Sequence, residues 1–130
     1  VSVSVTNFPR ILNTLQGTFD DERQKRIDRL QQYSLLVIDD LGVERDTAFS
    51  VEQVYNVIDT RARSGKPLIV TTNLSMKDLQ NPPTLAHKRI YDRVLDMCPI
   101  RLKLTGESRR VSNANDRKEK ARRLLGLEGA

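Results

Sequence analysis

The chain has 130 residues, a formal net charge of +5 and 38% hydrophobic residues, which suits one domain or a large part of one. No apolar run approaches the roughly 20 residues that cross a bilayer, so no membrane partner is predicted. No signal peptide is recognisable and the chain has a single cysteine, which together predict a cytoplasmic protein. Its single cysteine, Cys98, excludes an internal disulfide and a cysteine-rich zinc site. Its excess of basic over acidic residues modestly favours an acidic partner such as a nucleic acid.

The N-terminal part predicts one strand and two helices. Val1–Val5 alternates between apolar and polar side chains, as half-buried strands do, and we expect residues to precede a chain that opens inside a strand. Asn7 is placed to cap a helix that carries Pro9 in its first turn and ends at Gly17. A second, highly charged helix is predicted over Asp20–Gln32.

The middle of the chain predicts a buried strand and a long helix. Leu35–Ile38 is a continuous apolar run that ends in Asp39 and Asp40, and such runs are typical of strands buried on both faces. Ser50–Gln53 has the pattern of a capping box, which predicts that a helix begins there and ends at Gly65.

The last part predicts a further strand at Leu68–Thr71, a short helix starting over Ser75–Asp78, a helix over Thr84–Met97 and an apolar strand over Ile100–Leu104. Residues 112–130 are basic and predict a peripheral helix or a tail. Strands that alternate with helices build a parallel sheet with helices on both faces, so the predicted fold class is α/β.

Polar side chains follow two of the predicted strands at the carboxyl edge of the sheet, where such folds place their functional sites. Asp39 and Asp40 follow one strand, and Thr72 and Asn73 follow the other. In this position Asp39 would hold Mg²⁺, Asp40 would orient or deprotonate an attacking water, and Asn73 would bond that water or a γ-phosphate. The alternative is a solvated acidic turn beside a turn-forming asparagine.

Three segments in this order resemble motifs of one ATPase group. Leu35–Val43, Ile69–Ser75 and Lys88–Met97 resemble the Walker B, sensor 1 and box VII arginine motifs of helicase loaders of DnaC/DnaI type, which are AAA+ ATPases related to the DnaA initiator and to transposition helpers of IstB type. The resemblance runs from Val1 to about Arg110. It implies a P-loop NTPase core that uses ATP and Mg²⁺.

The resemblance also implies roles for three arginines. It assigns Arg93 as an arginine finger, so self-association through Arg93 is expected, and it places a sensor 2 arginine at Arg110 or, as second choice, Arg109.

The chain departs from the family pattern because it lacks the phosphate-binding Walker A loop. Gly65-Lys66 is followed by Pro67 and leads into a strand, whereas a Walker A lysine is followed by Ser or Thr and opens a helix. We therefore expect the loop to precede Val1. Residues 1–111 are predicted to be an AAA+ core truncated before its second strand, and nucleotide binding by this piece alone is doubtful.

The two helices near the N-terminus resemble the helical insertion that contacts single-stranded DNA in initiators and loaders. Phe19 at the tip between them, and Phe49 with Thr47 after the Walker B turn, are candidate contacts with bases. The candidate phosphate contacts are Lys25, Arg26, Arg29 and Arg45. The alternative is that both phenylalanines pack against their own helices.

The function implied by the resemblance is ATP-dependent loading of the replicative ring helicase onto single-stranded DNA during replication, with the helicase bound by a region N-terminal to this chain. Two alternatives stay open: an IstB-type transposition helper that binds duplex DNA and a transposase, and a non-catalytic DNA-binding AAA+ module.

Overall fold

The computed structural model describes residues 1–104 and 117–121. Residues 1–100 form one compact unit and residues 101–130 a second. The first unit contains, in chain order, β1 (Val3–Asn7), α1 (Phe8–Leu15), α2 (Asp20–Leu30), β2 (Leu35–Leu41), α3 (Ala48–Ser64), β3 (Leu68–Thr72), α4 (Met76–Gln80) and α5 (Leu85–Met97). In the second unit, residues 117–121 are helical and exposed. The boundary predicted after residue 111 lies outside the described residues and stays a prediction.

The three strands form a parallel sheet in the order β1-β2-β3, so the predicted α/β class is confirmed. The core of the first unit lies between this sheet and the helices. Leu36 and Ile38 of β2 are fully buried there, together with Phe8 of α1 and Val57 of α3. Each fully buried side chain of this size stabilises the fold by about 1.5–3 kcal/mol.

The opposite face of the sheet carries apolar side chains that are only partly covered. The register aligns Val5, Val37 and Ile69 across the three strands. Val5 is 66% exposed and Ile69 48% exposed. β3 is therefore less buried than its apolar sequence predicts, because within the described residues it is an edge strand with one neighbour.

Three helix starts agree with the sequence. The Asn7 side chain accepts a hydrogen bond from the Arg10 N–H at 2.9 Å and caps α1. Thr84 caps α5 in the same way. Ser75 and Asp78 form the capping box of α4, and the Ser75 backbone N–H, by bonding the Asp78 carboxylate, lowers the pKa of that carboxyl.

The predicted start of α3 is wrong by one turn. Thr47 is the N-cap, and its hydroxyl accepts a hydrogen bond from the Ser50 N–H and donates one to Ser50 Oγ at 2.8 Å. Ser50 and Gln53 are both buried inside the helix. The capping-box pattern at Ser50 therefore reflects polar side chains that pack against the core. α3 does end at Gly65, whose φ of +70° is the left-handed conformation that glycine adopts without strain.

The strand predicted over Ile100–Leu104 is also wrong. These residues have no regular secondary structure, and Ile100, Leu102 and Leu104 are exposed. Alternating leucines with basic residues fit a strand, but a strand forms only where a neighbouring backbone can pair with it. The local pattern cannot supply that neighbour.

A fully buried arginine joins the elements at the amino end of the sheet. Arg61 of α3 donates to the backbone oxygens of Pro67, at 2.6 and 3.1 Å, and of Tyr33, at 3.0 Å. Pro67 lies directly before β3 and Tyr33 lies two residues before β2, so one guanidinium holds the starts of both strands. Burial lowers the pKa of Arg61.

We expect Arg61→Met to destabilise the fold by about 3 kcal/mol or more. The methionine fills the space but leaves carbonyls without donors, and each lost hydrogen bond to a charged group costs about 1.5–3 kcal/mol. Urea unfolding followed by circular dichroism measures this loss. Arg63→Met is the matched control, since that side chain is 77% exposed with one ion pair and should cost ~0–1 kcal/mol. Equal losses in the two variants would contradict the role given to Arg61.

Candidate functional site

The two acids predicted to carry the chemistry lie in a β-bulge at the carboxyl end of the central strand. The pairing of β2 with β3 runs Ile38 with Val70 and then Leu41 with Thr72. Asp39 and Asp40 therefore lie opposite a single residue of β3, the one between Val70 and Thr72. A bulge of this kind bends the strand and redirects side chains, and bulges are common beside active sites.

That single residue is Thr71, which organises the bulge through its hydroxyl. The hydroxyl accepts a hydrogen bond from the Asp40 N–H at 2.9 Å and donates one to Asp39 Oδ1. Asp40 has a φ of +57°, a conformation that is uncommon for residues other than glycine. Sequence reasoning missed Thr71. The available signal was a hydroxyl residue on the strand next to an acidic pair, but only the bulge places it opposite both acids.

The turns that follow the two strands are also fixed. Thr72 donates to the Leu41 carbonyl at 2.6 Å and accepts from the Leu74 N–H at 3.1 Å, which shapes the turn that carries the exposed Asn73. Gly42 has a φ of +106°, and a Cβ there would lie 3.2 Å from Leu74 Cδ1. The sheet thus brings the turn that carries Asn73 next to the acidic pair, as the sequence predicted.

The donor set at this edge suits a magnesium ion shared with a phosphate. Asp39 and Asp40 are both exposed, and carboxylate oxygens are ligands that Mg²⁺ prefers. Among the described residues, no group of three or more His, Cys, Asp or Glu side chains is placed to hold a metal ion. Protein sites for Mg²⁺ commonly provide one or two carboxylates and take the remaining ligands from substrate phosphates and water.

The loop after β2 is tied to α5 through a histidine. His87 Nε2 lies 3.1 Å from Asp46 Oδ1, and His87 Nδ1 lies 2.7 Å from the hydroxyl of Thr84. The imidazole therefore connects the loop that follows the acidic pair to the first turn of the helix carrying Arg93. The sequence contained no pattern that pairs Asp46 with His87.

Arg93 lies on α5 and bonds a buried acid of α3. Its Nε and Nη2 atoms are 3.2 and 2.9 Å from Asp59 Oδ1. The Arg93 side chain is 40% exposed. The partner of Arg93 thus belongs to the neighbouring helix α3 and not to α5. Arg93 as an arginine finger stays a prediction.

The two candidate aromatic contacts with DNA differ in their surroundings. Phe19 is 90% exposed at the N-cap of α2. Phe49 packs against the core, and the Arg23 guanidinium lies over its ring at 4.9 Å from the centroid. Phe49 therefore has the packing role that was weighed against base stacking, while Phe19 has its ring in solvent.

The candidate phosphate contacts also differ. Lys25, Arg29 and Arg45 are exposed. Arg26 pairs with Glu22 at 3.2 Å, and this hydrogen bond lowers the pKa of Glu22. Thr47, another predicted DNA contact, uses its hydroxyl to cap α3. The two candidate sensor arginines, at positions 109 and 110, lie outside the described residues.

A parallel sheet with helices and a carboxylate pair at the carboxyl end of its central strand is the arrangement expected of part of a P-loop NTPase. Comparison with protein families agrees. The model of the IstB-like ATP binding protein family matches residues 1–117, and the chain belongs to that family.

Individual relatives are identical to the chain at about a quarter of the aligned positions. It is 25% identical over 96 residues to the replicative helicase loader DnaC of Escherichia coli K12, covering 72% of this chain and 38% of DnaC. It is 27% identical over 95 residues to YdaV of the same organism, covering 72% and 37%. It is 28% identical over 92 residues to Rv3427c of Mycobacterium tuberculosis, whose name places it among ATP-binding proteins in an insertion sequence, covering 67% and 36%. The chain thus spans under two-fifths of the length of these relatives. The predicted kinship with DnaC and IstB-type AAA+ proteins is confirmed.

The described residues contain no helix that is long and apolar enough to cross a membrane.

Proposed function

We propose that this chain is the part of an ATP-dependent helicase loader that carries the catalytic acids, and that the whole protein places a replicative ring helicase on single-stranded DNA. The observation that supports this most is the acidic pair, Asp39 and Asp40, ordered by Thr71 at the carboxyl end of the central strand. The similarity to DnaC supports the choice among AAA+ functions.

Three residues at the carboxyl edge of the sheet have separate roles in ATP hydrolysis. Asp39 holds Mg²⁺ on the nucleotide, Asp40 orients or deprotonates the attacking water, and Asn73 bonds that water or the γ-phosphate. The β- and γ-phosphates need a Walker A loop, which we expect upstream of Val1. Arg93 completes the site of a neighbouring subunit, and Arg110 or Arg109 serves as sensor 2.

The DNA contacts lie around α2. Phe19 stacks on a base of single-stranded DNA, while Lys25, Arg29 and Arg45 contact phosphates. Because Arg26 and Thr47 already have partners in the fold, they contribute less than the sequence suggested. The helicase binds a region N-terminal to this chain.

The second candidate is a transposition helper that binds duplex DNA and a transposase. The family match and the similarity to an ATP-binding protein in an insertion sequence favour it. The two functions differ in the form of DNA that the protein prefers, and this difference provides the test.

We expect the protein to bind single strands more tightly than duplex, with an affinity that falls steeply as salt rises. Fluorescence anisotropy of labelled oligonucleotides in both forms, at two salt concentrations, measures this. Phe19→Ala should lose stacking worth about 1–3 kcal/mol. Removing Lys25 and Arg29 together should lower the slope of log affinity against log salt by roughly 0.7 for each charge.

Phe19→Leu is the matched control, because leucine keeps an apolar side chain but has no ring to stack. It should lose nearly as much affinity as Phe19→Ala. A preference for duplex DNA would favour the transposition helper. Unchanged affinity in Phe19→Ala would remove Phe19 from the DNA contact.

A further inference from the structure

α5 contacts α3 through two arginines, at two successive turns. Arg89 and Arg93 lie one turn apart on α5, and Tyr55 and Asp59 lie one turn apart on α3. The Arg89 guanidinium lies over the Tyr55 ring, 4.2 Å from its centroid. Arg93 bonds Asp59 Oδ1. The position of Arg93 is thus set by α3 and not by its own helix alone.

Asp59 is built to hold a guanidinium in one orientation. Its side chain is 10% exposed, and its two oxygens have different partners. Oδ1 accepts from Nε and Nη2 of Arg93, while Oδ2 lies 2.8 Å from Nη2 of Arg63. Rotation of the carboxylate would break both contacts in a buried place. The Nε and Nη2 donors of the planar Arg93 guanidinium therefore share a fixed acceptor, which restricts the orientation of the guanidinium plane.

We propose that Asp59 is a positioning residue for Arg93, and that it presents the remaining donors of the guanidinium to a phosphate of the nucleotide bound by a neighbouring copy of the protein. A guanidinium has five N–H donors, of which Asp59 uses two. The 40% exposure of the Arg93 side chain leaves it accessible to an anion. This inference rests on the proposed function, because it requires Arg93 to act on a nucleotide.

The net charge around Arg93 favours the binding of an anion in addition to the Asp59 carboxylate. One carboxylate faces two guanidiniums, those of Arg63 and Arg93, so the three groups together keep a net positive charge. An acid that fully neutralised Arg93 would weaken its attraction to phosphate. Here the second arginine compensates for the acid, and Arg93 is oriented while the cluster stays cationic. Orientation before the reaction is valuable, because a misplacement of about 1 Å can cost roughly 10²-fold in rate.

The test uses steady-state ATP hydrolysis by a form of the protein that includes the expected Walker A loop (the loop-containing protein). Asp59→Asn keeps the shape of the side chain and loses its charge. We expect kcat to fall by roughly 10²-fold and KM for ATP to stay nearly unchanged, because ATP is bound by the neighbouring copy. In an Arg93→Ala background, Asp59→Asn should cause no further fall in kcat, since Asp59 acts only through Arg93.

Asp59→Glu is a second variant that retains the charge but moves the carboxylate by one methylene, and its kcat should fall less than that of Asp59→Asn. Lys88→Ala, which removes an exposed cation paired with Asp92 on the same helix, should keep the wild-type kcat. The inference is overturned if Asp59 variants lower only the melting temperature, if they raise kcat, or if Asp59→Asn lowers kcat equally without Arg93.

Failure of the inference and failure of the proposed function give different results. If Arg93→Ala itself keeps the wild-type kcat, the arginine finger is wrong and the role of Asp59 is wrong with it. If Arg93→Ala lowers kcat while Asp59→Asn leaves it unchanged, only the positioning role is wrong.

Discussion

An Arg93→Ala subunit of the loop-containing protein, which alone should keep only a residual kcat about 10³–10⁵-fold below wild type, should regain ATP hydrolysis when it is mixed with an Asp39→Ala subunit. The first variant keeps its own acidic pair and lacks the proposed finger, and the second lacks the proposed metal-binding acid and keeps the finger. A mixed pair assembles one complete site at the subunit boundary. Phosphate release measured across mixing ratios should exceed the sum of the separate variants and pass through a maximum.

The expected effect is large because of what a guanidinium supplies to phosphoryl transfer. It is always charged and matches phosphate oxygens with a fork of donors, and a finger delivered by a neighbour can be worth about 10³–10⁵ in rate. Arg93 is accessible to such a phosphate, since 40% of its side chain is exposed on α5. Its helix also packs through Ile90 and Val94, which are buried.

Lys88→Ala serves as the control in this experiment too, because it changes the charge of α5 without touching Arg93. Assembly of each variant should be checked by size-exclusion chromatography. If no mixture exceeds the sum of its parts while the wild-type protein assembles normally, Arg93 does not act in trans. It would then be an ion pair with Asp59 that only joins α5 to α3.

The second large effect concerns the 130-residue chain alone. We expect it to show no appreciable ATP hydrolysis, because the phosphates lack the backbone cradle and lysine that hold them beside Asp39 and Asp40. In the loop-containing protein, turnover should appear, and Asp40→Asn should abolish it. The Asn side chain keeps the size of Asp40 but loses the basic oxygen that we propose activates water.

A phosphate-release assay on both forms, with and without Mg²⁺, provides the measurement. Turnover by the chain alone at the level of the loop-containing protein, abolished by Asp40→Asn, would contradict this expectation. Turnover that survives Asp40→Asn in the loop-containing protein would instead remove Asp40 from the catalytic step.

Most of the secondary structure could be predicted, because its signals are local. Asn7, Ser75 and Thr84 each bond a backbone N–H within three residues, so the sequence around a helix start contains all the groups that decide it. α3 shows the limit of this reasoning. Thr47 and Ser50 both fit a cap, and burial of Ser50 in the core decided between them.

The strand predicted over Ile100–Leu104 failed for a related reason. Helical hydrogen bonds close within one segment, whereas a strand depends on a partner elsewhere in the chain. An apolar alternating pattern describes a segment that is able to pair. It contains no information on whether a neighbouring backbone is present.

The sequence by itself determined the parallel α/β class, the position of the acidic pair and the placement of Asn73 at the same edge. The reason is that the spacing of apolar residues, the order of strands and helices and the residues of each turn are all properties of the linear sequence. Only the tertiary structure decided which distant side chains meet. Thr71 meets the acids across a bulge, Asp59 meets Arg93 across two helices, and Arg61 reaches the starts of two strands. Apart from the bonds of Arg61 to Pro67, six positions away, these contacts join residues about 30 positions apart. Their geometry follows from how the helices pack on the sheet, which no local pattern records.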